Sequence, residues 1–260
     1  MAKKDLMWEE AILAVIEKYG GSATLKELYQ TIPSIKEVPL RKDWKRIVRA
    51  FLRRLVRIKG MLKKTGLGIY SLSGVEIHPT VYEEIKRGKS ENEILKNIPE
   101  EIKHGHIEGM LIELGNIYNF LTYTADPNDI FNKKKLSALT SLDELPEFSS
   151  KELMEVTKEI DVIWFKKRAL LIAPKHTFDV EKSTDFTKAL HRAYQLQDFK
   201  ASFYFVAPIF KENQFNKRIN TEPYQCLKNY FFYRSFEDVI ALYKSAVEHT
   251  ERRERFLIEP

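Results

Sequence analysis

Cysteine is almost missing from this chain: Cys226 is the single one among 260 residues. A disulfide framework and a cysteine-built zinc site within one chain are therefore excluded. Long apolar runs are missing too. Nothing approaches the roughly 18 uninterrupted apolar residues of a membrane span. The first five residues offer Lys3 and Lys4 but no apolar stretch of signal-peptide length before Trp8. The expectation is a cytoplasmic protein with no membrane partner. Gly66-Leu67-Gly68 lacks the third glycine of a dinucleotide fingerprint and the Lys-Ser/Thr ending of a P-loop. Internal repeats and low-complexity tracts are absent. What the chain does have is 43% hydrophobic and 31% charged residues, a balance that builds packed cores. At roughly 100–200 residues per domain, the length predicts two domains.

The net charge of +6 conceals a concentration. Between Arg41 and Lys64 lie eleven basic residues and one acid, Asp43, a local balance of +10 that leaves −4 for the remainder. Such a patch on a mildly acidic protein fits a phosphate backbone, and a solvated helix face is the plainer alternative.

Apolar residues Ile12, Val15, Ile16 and Tyr19 recur at helical spacing over residues 8–19, and Gly20-Gly21 ends the run. Ser22 or Thr24 can cap a short helix over 25–32, which Pro33 is expected to close. A third helix is predicted over about 42–58. Trp44, Val48, Phe51, Leu52 and Leu55 form its apolar stripe. Lys45, Arg49, Arg53 and Arg57 are spaced four apart on another face, with Arg46 beside them. Residues 60–72 then read as two short strands around a glycine-containing turn that carries Lys63 and Lys64. Helix, short helix, basic helix and basic hairpin together resemble a winged helix-turn-helix over residues 6–73. The resemblance implies a DNA reader, with Lys45, Arg46, Arg49, Arg53, Lys63 and Lys64 facing duplex DNA. Protein–protein contact is the other known use of that fold.

Residues 75–101 read as a transition, with one bridging helix over 82–98. The expected division is 1–75, a linker at 76–100, and 101–260. The second half alternates. Helices are predicted over 107–118, 186–197 and 237–247. Strands are predicted over 120–124, 160–165, 170–173, 178–181, 201–206 and 230–236, which gives a mixed α/β core. Tyr and Phe are dense between residues 203 and 243. Core packing is the ordinary reading, and base stacking the other.

Acids on apolar strands carry the chemistry. Asp161 opens Asp-Val-Ile-Trp-Phe, and Phe178-Asp179-Val180-Glu181 follows. Strand alternation puts Asp179 and Glu181 on one face. Carboxylates at strand ends are costly unless something positive joins them, and hard divalent ions take oxygen ligands. His104-Gly105-His106 before Glu108 hints at a metal site, although loop histidines are commoner.

The run Ile160-Asp161-Val162-Ile163-Trp164 followed by Asp179-Val180-Glu181 resembles the PD-(D/E)xK nuclease superfamily over residues 101–208. The helix carrying Glu108 and Glu113, then Tyr123-Thr124-Ala125-Asp126, is similar to the elements that precede the family's first acid. Either glutamate can serve as the helical acid. Ile160 stands where the family has proline, and Glu181 stands at its lysine position. Lys182 points to the other face of an ideal strand, so Lys188 and Arg192, four apart on one helix, are the expected phosphate contacts. The resemblance implies a restriction-type endonuclease acting on double-stranded DNA, as a homodimer in many such enzymes. Asp161, Asp179 and Glu181 would hold Mg²⁺, or Mn²⁺. The alternative is a non-catalytic DNA-binding regulator whose nuclease-like fold serves binding or dimerisation, which the missing lysine favours.

Overall fold

A computed structural model describes residues 6–39, 43–75, 79–169, 171–181 and 186–256. Lys42 and Lys182 lie outside them. The chain divides into two units, Met1–Gly88 with Val247–Pro260, and Lys89–Ala246.

In the first unit, α1 (Trp8–Lys18) buries Ala11, Ile12, Val15 and Ile16. Gly20 and Gly21 then take positive φ of +73° and +84°, a backbone that L side chains resist, and turn the chain into β1 (Ser22–Thr24). Thr24 caps α2 (Leu25–Ile35) in a reciprocal box with Glu27. Pro33 does not close this helix. It sits in the last turn, where its missing N–H removes one bond, and Lys36 N still donates to Ile32 O at 2.9 Å. The basic helix α3 spans Trp44–Arg57 and buries Val48, Leu52 and Leu55. The hairpin β2 (Leu62–Lys64) and β3 (Ile69–Leu72) gains a third strand that the sequence did not announce. β1 pairs antiparallel with β3, giving the order β1-β3-β2. Ile12, Ile16, Leu28, Ile32, Val48, Leu52 and Leu62 share one core. α4 (Val81–Lys86) follows, capped by Thr80.

The expected single bridging helix is thus two helices, α4 and α5 (Glu91–Asn97). Gly88 at φ +78° breaks the path, and Ser90 caps the restart. The second unit continues with α6 (Glu100–Ile117), β4 (Leu121–Thr124), β5 (Ile130–Phe131), β6 (Lys134–Lys135) and α7 (Lys151–Thr157). After these come β7 (Val162–Arg168), β8 (Leu171–Val180), α8 (Thr187–Gln195), β9 (Ser202–Ala207), α9 (Glu212–Ile219), β10 (Phe231–Ser235) and α10 (Phe236–Phe256), the last part of which, from Val247, belongs to the first unit. Two expected strands merge into the ten-residue β8. Pro174 is tolerated because the β7–β8 register shifts beside it, from Trp164↔His176 to Phe165↔Pro174. α6 begins seven residues earlier than the hydrophobic pattern alone implies.

The mixed α/β expectation holds here. A five-stranded sheet has the order β10-β9-β8-β7-β4, antiparallel across β4, β7 and β8 and parallel across β8, β9 and β10. Alternation along β7 sends neighbouring side chains to opposite faces. Trp164 donates its indole N–H to Leu111 O of α6 at 3.0 Å. Ile163 and Phe165 join Ala189, Leu190 and Ala193 of α8, with Phe203, Phe205 and Phe231, in the main core. The dense aromatics of β9 and β10 are largely this packing.

Candidate active site

Strand directions gather the acids. Because β4 and β7 run antiparallel, the end of β4 lies beside the start of β7, with Thr124 paired to Val162. The same rule brings the end of β8 to the start of β7, with Val162 paired to Phe178. β9 then ends next to β8, with Val180 paired to Val206. Three chain segments therefore converge on Asp161. Val180 N donates to Asp161 Oδ2 at 2.5 Å, and Ala125 N donates to Asp161 O at 3.2 Å.

The helix supplies the rest. His104 and Glu108 are four apart on α6 and face the same way. His104 Nε2 lies 2.8 Å from Glu108 Oε1 and 3.7 Å from Asp126 Oδ2. Among the described residues, His104, Glu108, Asp126 and Asp161 form a group whose ligand atoms all lie within 4.8 Å of one another. Glu108 is 0% exposed, and neither of its oxygens has a hydrogen-bond partner. Gly109 on the same helix lets β5 approach, since a Cβ there would meet Phe131 Cγ at 2.3 Å.

Asp179 has its own partner. It is 2% exposed and accepts from Arg192 Nε at 3.1 Å and from Nη2, so α8 clamps the end of β8. Arg192 Nη1 also lies 3.7 Å from Glu159. The sequence reading assigned Arg192 to a phosphate, and the structure engages it with Asp179. Glu181 extends just beyond β8, its amide donating to Val206 O at 2.8 Å. Lys188 is exposed on α8. Glu113 is remote in bonding terms, because its carboxylate is buried and accepts from the Tyr243 hydroxyl. Of the two helical candidates, Glu108 is the one that meets Asp161.

The electrostatics follow from crowding. Burial first, then the charges of Asp179 and Glu108, raise the Asp161 pKa against the Val180 amide and His104. Burial also raises Asp179, with Arg192 opposing. Glu108 is pushed up to about 7 by burial, with His104 opposing. Burial disfavours the His104 cation, yet Asp126 and Glu108 outweigh it and push His104 up to about 10. His104 and Arg192 thus each offset one part of a crowded acidic cluster whose burial disfavours the charged carboxylates. A buried lysine, Lys211, sits in the turn Ile209–Lys211 after β9. Burial lowers its pKa, while Glu181 and Glu100 hold it up.

The His104-Gly105-His106 hint falls to His104, because α6 starts at Glu100 and puts His104 one turn before Glu108, and Asp126, which the sequence pattern gives no role, completes the group. An i, i+4 His–Glu pair was the available signal.

The basic segment is partly neutralised within its own unit. Arg57 pairs with Glu251 at 3.1 Å, and Lys64 with Glu254 at 3.1 Å. Lys63 lies 3.7 Å from Glu83, and Lys59 pairs with Glu9. Lys64 is buried, in contrast to the expectation that it faces duplex DNA. Lys45, Arg46 and Arg49 stay exposed on α3, where Arg49 Nε donates to Tyr29 Oη at 2.7 Å. Arg53 is half-buried.

A family model, the type II restriction enzyme NmeDI C-terminal domain, matches residues 84–257. The chain belongs to this family. The match takes in α6, every strand of the five-stranded sheet and the acids at its edge. No curated protein and no solved structure matches the chain. Among the described residues no helix is long and apolar enough to cross a membrane.

Proposed function

We propose that this protein is a restriction-type endonuclease that hydrolyses phosphodiester bonds of double-stranded DNA with Mg²⁺ or Mn²⁺. The observation that carries the reading is the meeting of Asp161 with the end of β8, where its carboxylate accepts from Val180 N between Asp179 and Glu181. Membership of a restriction-enzyme family supports the same chemistry. The order helix, three antiparallel strands, helix, parallel strand supports a PD-(D/E)xK-like reading of residues 101–208. The donor set of Asp161, Asp179 and Glu181 fits a hard dication, because all three offer carboxylate oxygens in a partly buried setting.

In this reading Asp161, Asp179 and Glu181 hold the ion, and Glu108 is the helical acid. Bound there, a divalent ion supplies activated water and charge stabilisation at the scissile phosphate. Arg192 keeps Asp179 ionised and in place, and adds positive charge where the family's lysine is missing. Lys188, exposed on the same helix, contacts the phosphate backbone. In the first unit, α1, α2, α3 and the three-stranded antiparallel sheet are read as a winged helix. Its Lys45, Arg46, Arg49 and Arg53 lie against DNA, while Lys63 contributes at the margin. Cutting both strands takes two sites, so the working assembly in this reading is a homodimer.

The test is plasmid DNA incubated with Mg²⁺ or Mn²⁺, comparing wild type with Asp161→Asn. Wild type should nick or linearise the plasmid and the variant should not. Equal cutting by both removes Asp161 from the mechanism. No cutting by wild type across a panel of plasmids, with DNA binding retained, would support the non-catalytic regulator instead.

A further inference from the structure

We propose that a basic cavity in the first unit binds a nucleoside polyphosphate, apart from the acids of the candidate active site. The inference does not rest on the nuclease reading.

The cavity has a volume of about 520 Å³ and lies where the C-terminal half of α3, the β2–β3 hairpin, α4 and the last turn of α10 meet. Its walls come from residues 53–87 and 251–255, all within the first unit. Small-molecule sites commonly have volumes of roughly 300–1,000 Å³. Seven of the lining residues are cationic and three are acidic. The acids are already matched. Arg57 lies 3.1 Å from Glu251 and 3.4 Å from Glu254, Lys64 lies 3.1 Å from Glu254, and Lys63 lies 3.7 Å from Glu83. Arg53, Lys86, Arg87 and Arg255 form no ion pair among the described residues, so a formal surplus of four positive charges lines the cavity.

A separate observation points to a ligand. Tyr70 lines the same cavity and is 6% exposed, and its hydroxyl has no hydrogen-bond partner among the described residues. A buried tyrosine hydroxyl ordinarily finds a partner. A phosphate oxygen entering the cavity would accept from it.

Ligand chemistry follows from the walls. Arginine forks and lysine ammoniums are the usual phosphate partners, and the surplus calls for a ligand with several negative charges. Val56 and Leu62 give an apolar wall for a base. The three carboxylates keep lone pairs that can accept from ribose hydroxyls or base amino groups. Arg53 and Lys63 also belong to the set proposed to face DNA, so a ligand here would compete with duplex for them.

The experiment titrates the full chain by calorimetry, in chelator so that no metal-dependent contact contributes. The probes are each of the four ribonucleoside triphosphates, adenosine, inorganic tripolyphosphate and a short DNA duplex. At least one triphosphate should bind about tenfold or more tightly than tripolyphosphate, and adenosine should bind far more weakly. Lys86→Ala with Arg87→Ala should weaken that binding about tenfold or more, because both residues are exposed and outside the ion pairs that hold the walls. Tyr70→Phe keeps the ring and its packing and should weaken it about tenfold. Unfolding curves establish that each variant is folded. Triphosphate affinity that is unchanged in either folded variant overturns the proposal. So does failure of all four triphosphates to bind, or tripolyphosphate binding as tightly as they do. Variants that weaken the duplex alone would place a backbone phosphate in the cavity and overturn the small-ligand proposal.

Discussion

Asp161→Asn probes the charge balance of the site before any DNA is added. In metal-free protein the Asp161 carboxyl is raised by burial and by Asp179 and Glu108. A carboxyl raised in the folded state favours folding below its unfolded pKa near 3.9. That contribution is lost as pH climbs through the raised value. Wild type should therefore lose stability relative to Asp161→Asn from about pH 4 upward through neutrality. Asparagine keeps an oxygen that can accept from Val180 N, so the strand-end geometry survives. Each pKa unit is worth about 1.4 kcal/mol. Burial and the neighbouring carboxylates push Asp161 up to about 8 in the folded chain, and with that rise discounted because it is shared with Asp179, the variant gains about 1–3 kcal/mol above neutrality. At roughly 2–4 °C per kcal/mol for chains approaching this size, that is a gain of about 2–12 °C in Tm. If the proposed site holds a dication, Mn²⁺ should reverse the order. An ion at a hundred times its Kd stabilises wild type by about 2.7 kcal/mol, roughly 5–10 °C, and the variant much less. Scanning calorimetry in chelator and in Mn²⁺, at pH values on either side of neutrality, reads both effects. A gap between wild type and variant that ignores pH refutes the crowded-carboxylate account. Equal stabilisation of both by Mn²⁺ refutes Asp161 as a ligand.

Other perturbations follow from the same contacts. Arg192→Ala strands the buried Asp179 charge and should cost about 3–5 kcal/mol in urea unfolding; Asp179→Asn in the same chain should recover much of it, and a purely additive double variant would show that the pair is not coupled. Gly109→Ala drives a methyl into Phe131 and should destabilise by roughly 1–3 kcal/mol, whereas an unchanged denaturation midpoint would mean that β5 is free to yield. Arg46→Ala with Arg49→Ala should weaken DNA binding and flatten the salt slope by about two; an unchanged slope takes α3 out of the interface. Lys64→Ala should instead lower thermal stability through loss of the Glu254 pair and leave the salt slope alone.

Elements whose patterns are local follow from a few neighbouring residues. Capping by Thr24, the apolar stripe of α3 and the hairpin of β2 and β3 are all decided within a few residues, so they were legible. Asp161 and Asp179-Val180-Glu181 were legible as a pair of strand-end motifs for the same reason. Tertiary structure decided everything that needs a distant partner. β1 became a strand because β3 offered it an edge, and β8 ran through Pro174 because β7 could shift register beside it. Glu108 was separated from Glu113 by what each faces, His104 and Asp161 in one case and the Tyr243 hydroxyl in the other. The basic segment looked uniform until residues near 250 returned to neutralise Arg57 and Lys64. Propensity and capping act over one or two turns of chain, whereas charge pairing and ligand sets act through space. Only folding fixes which charges meet.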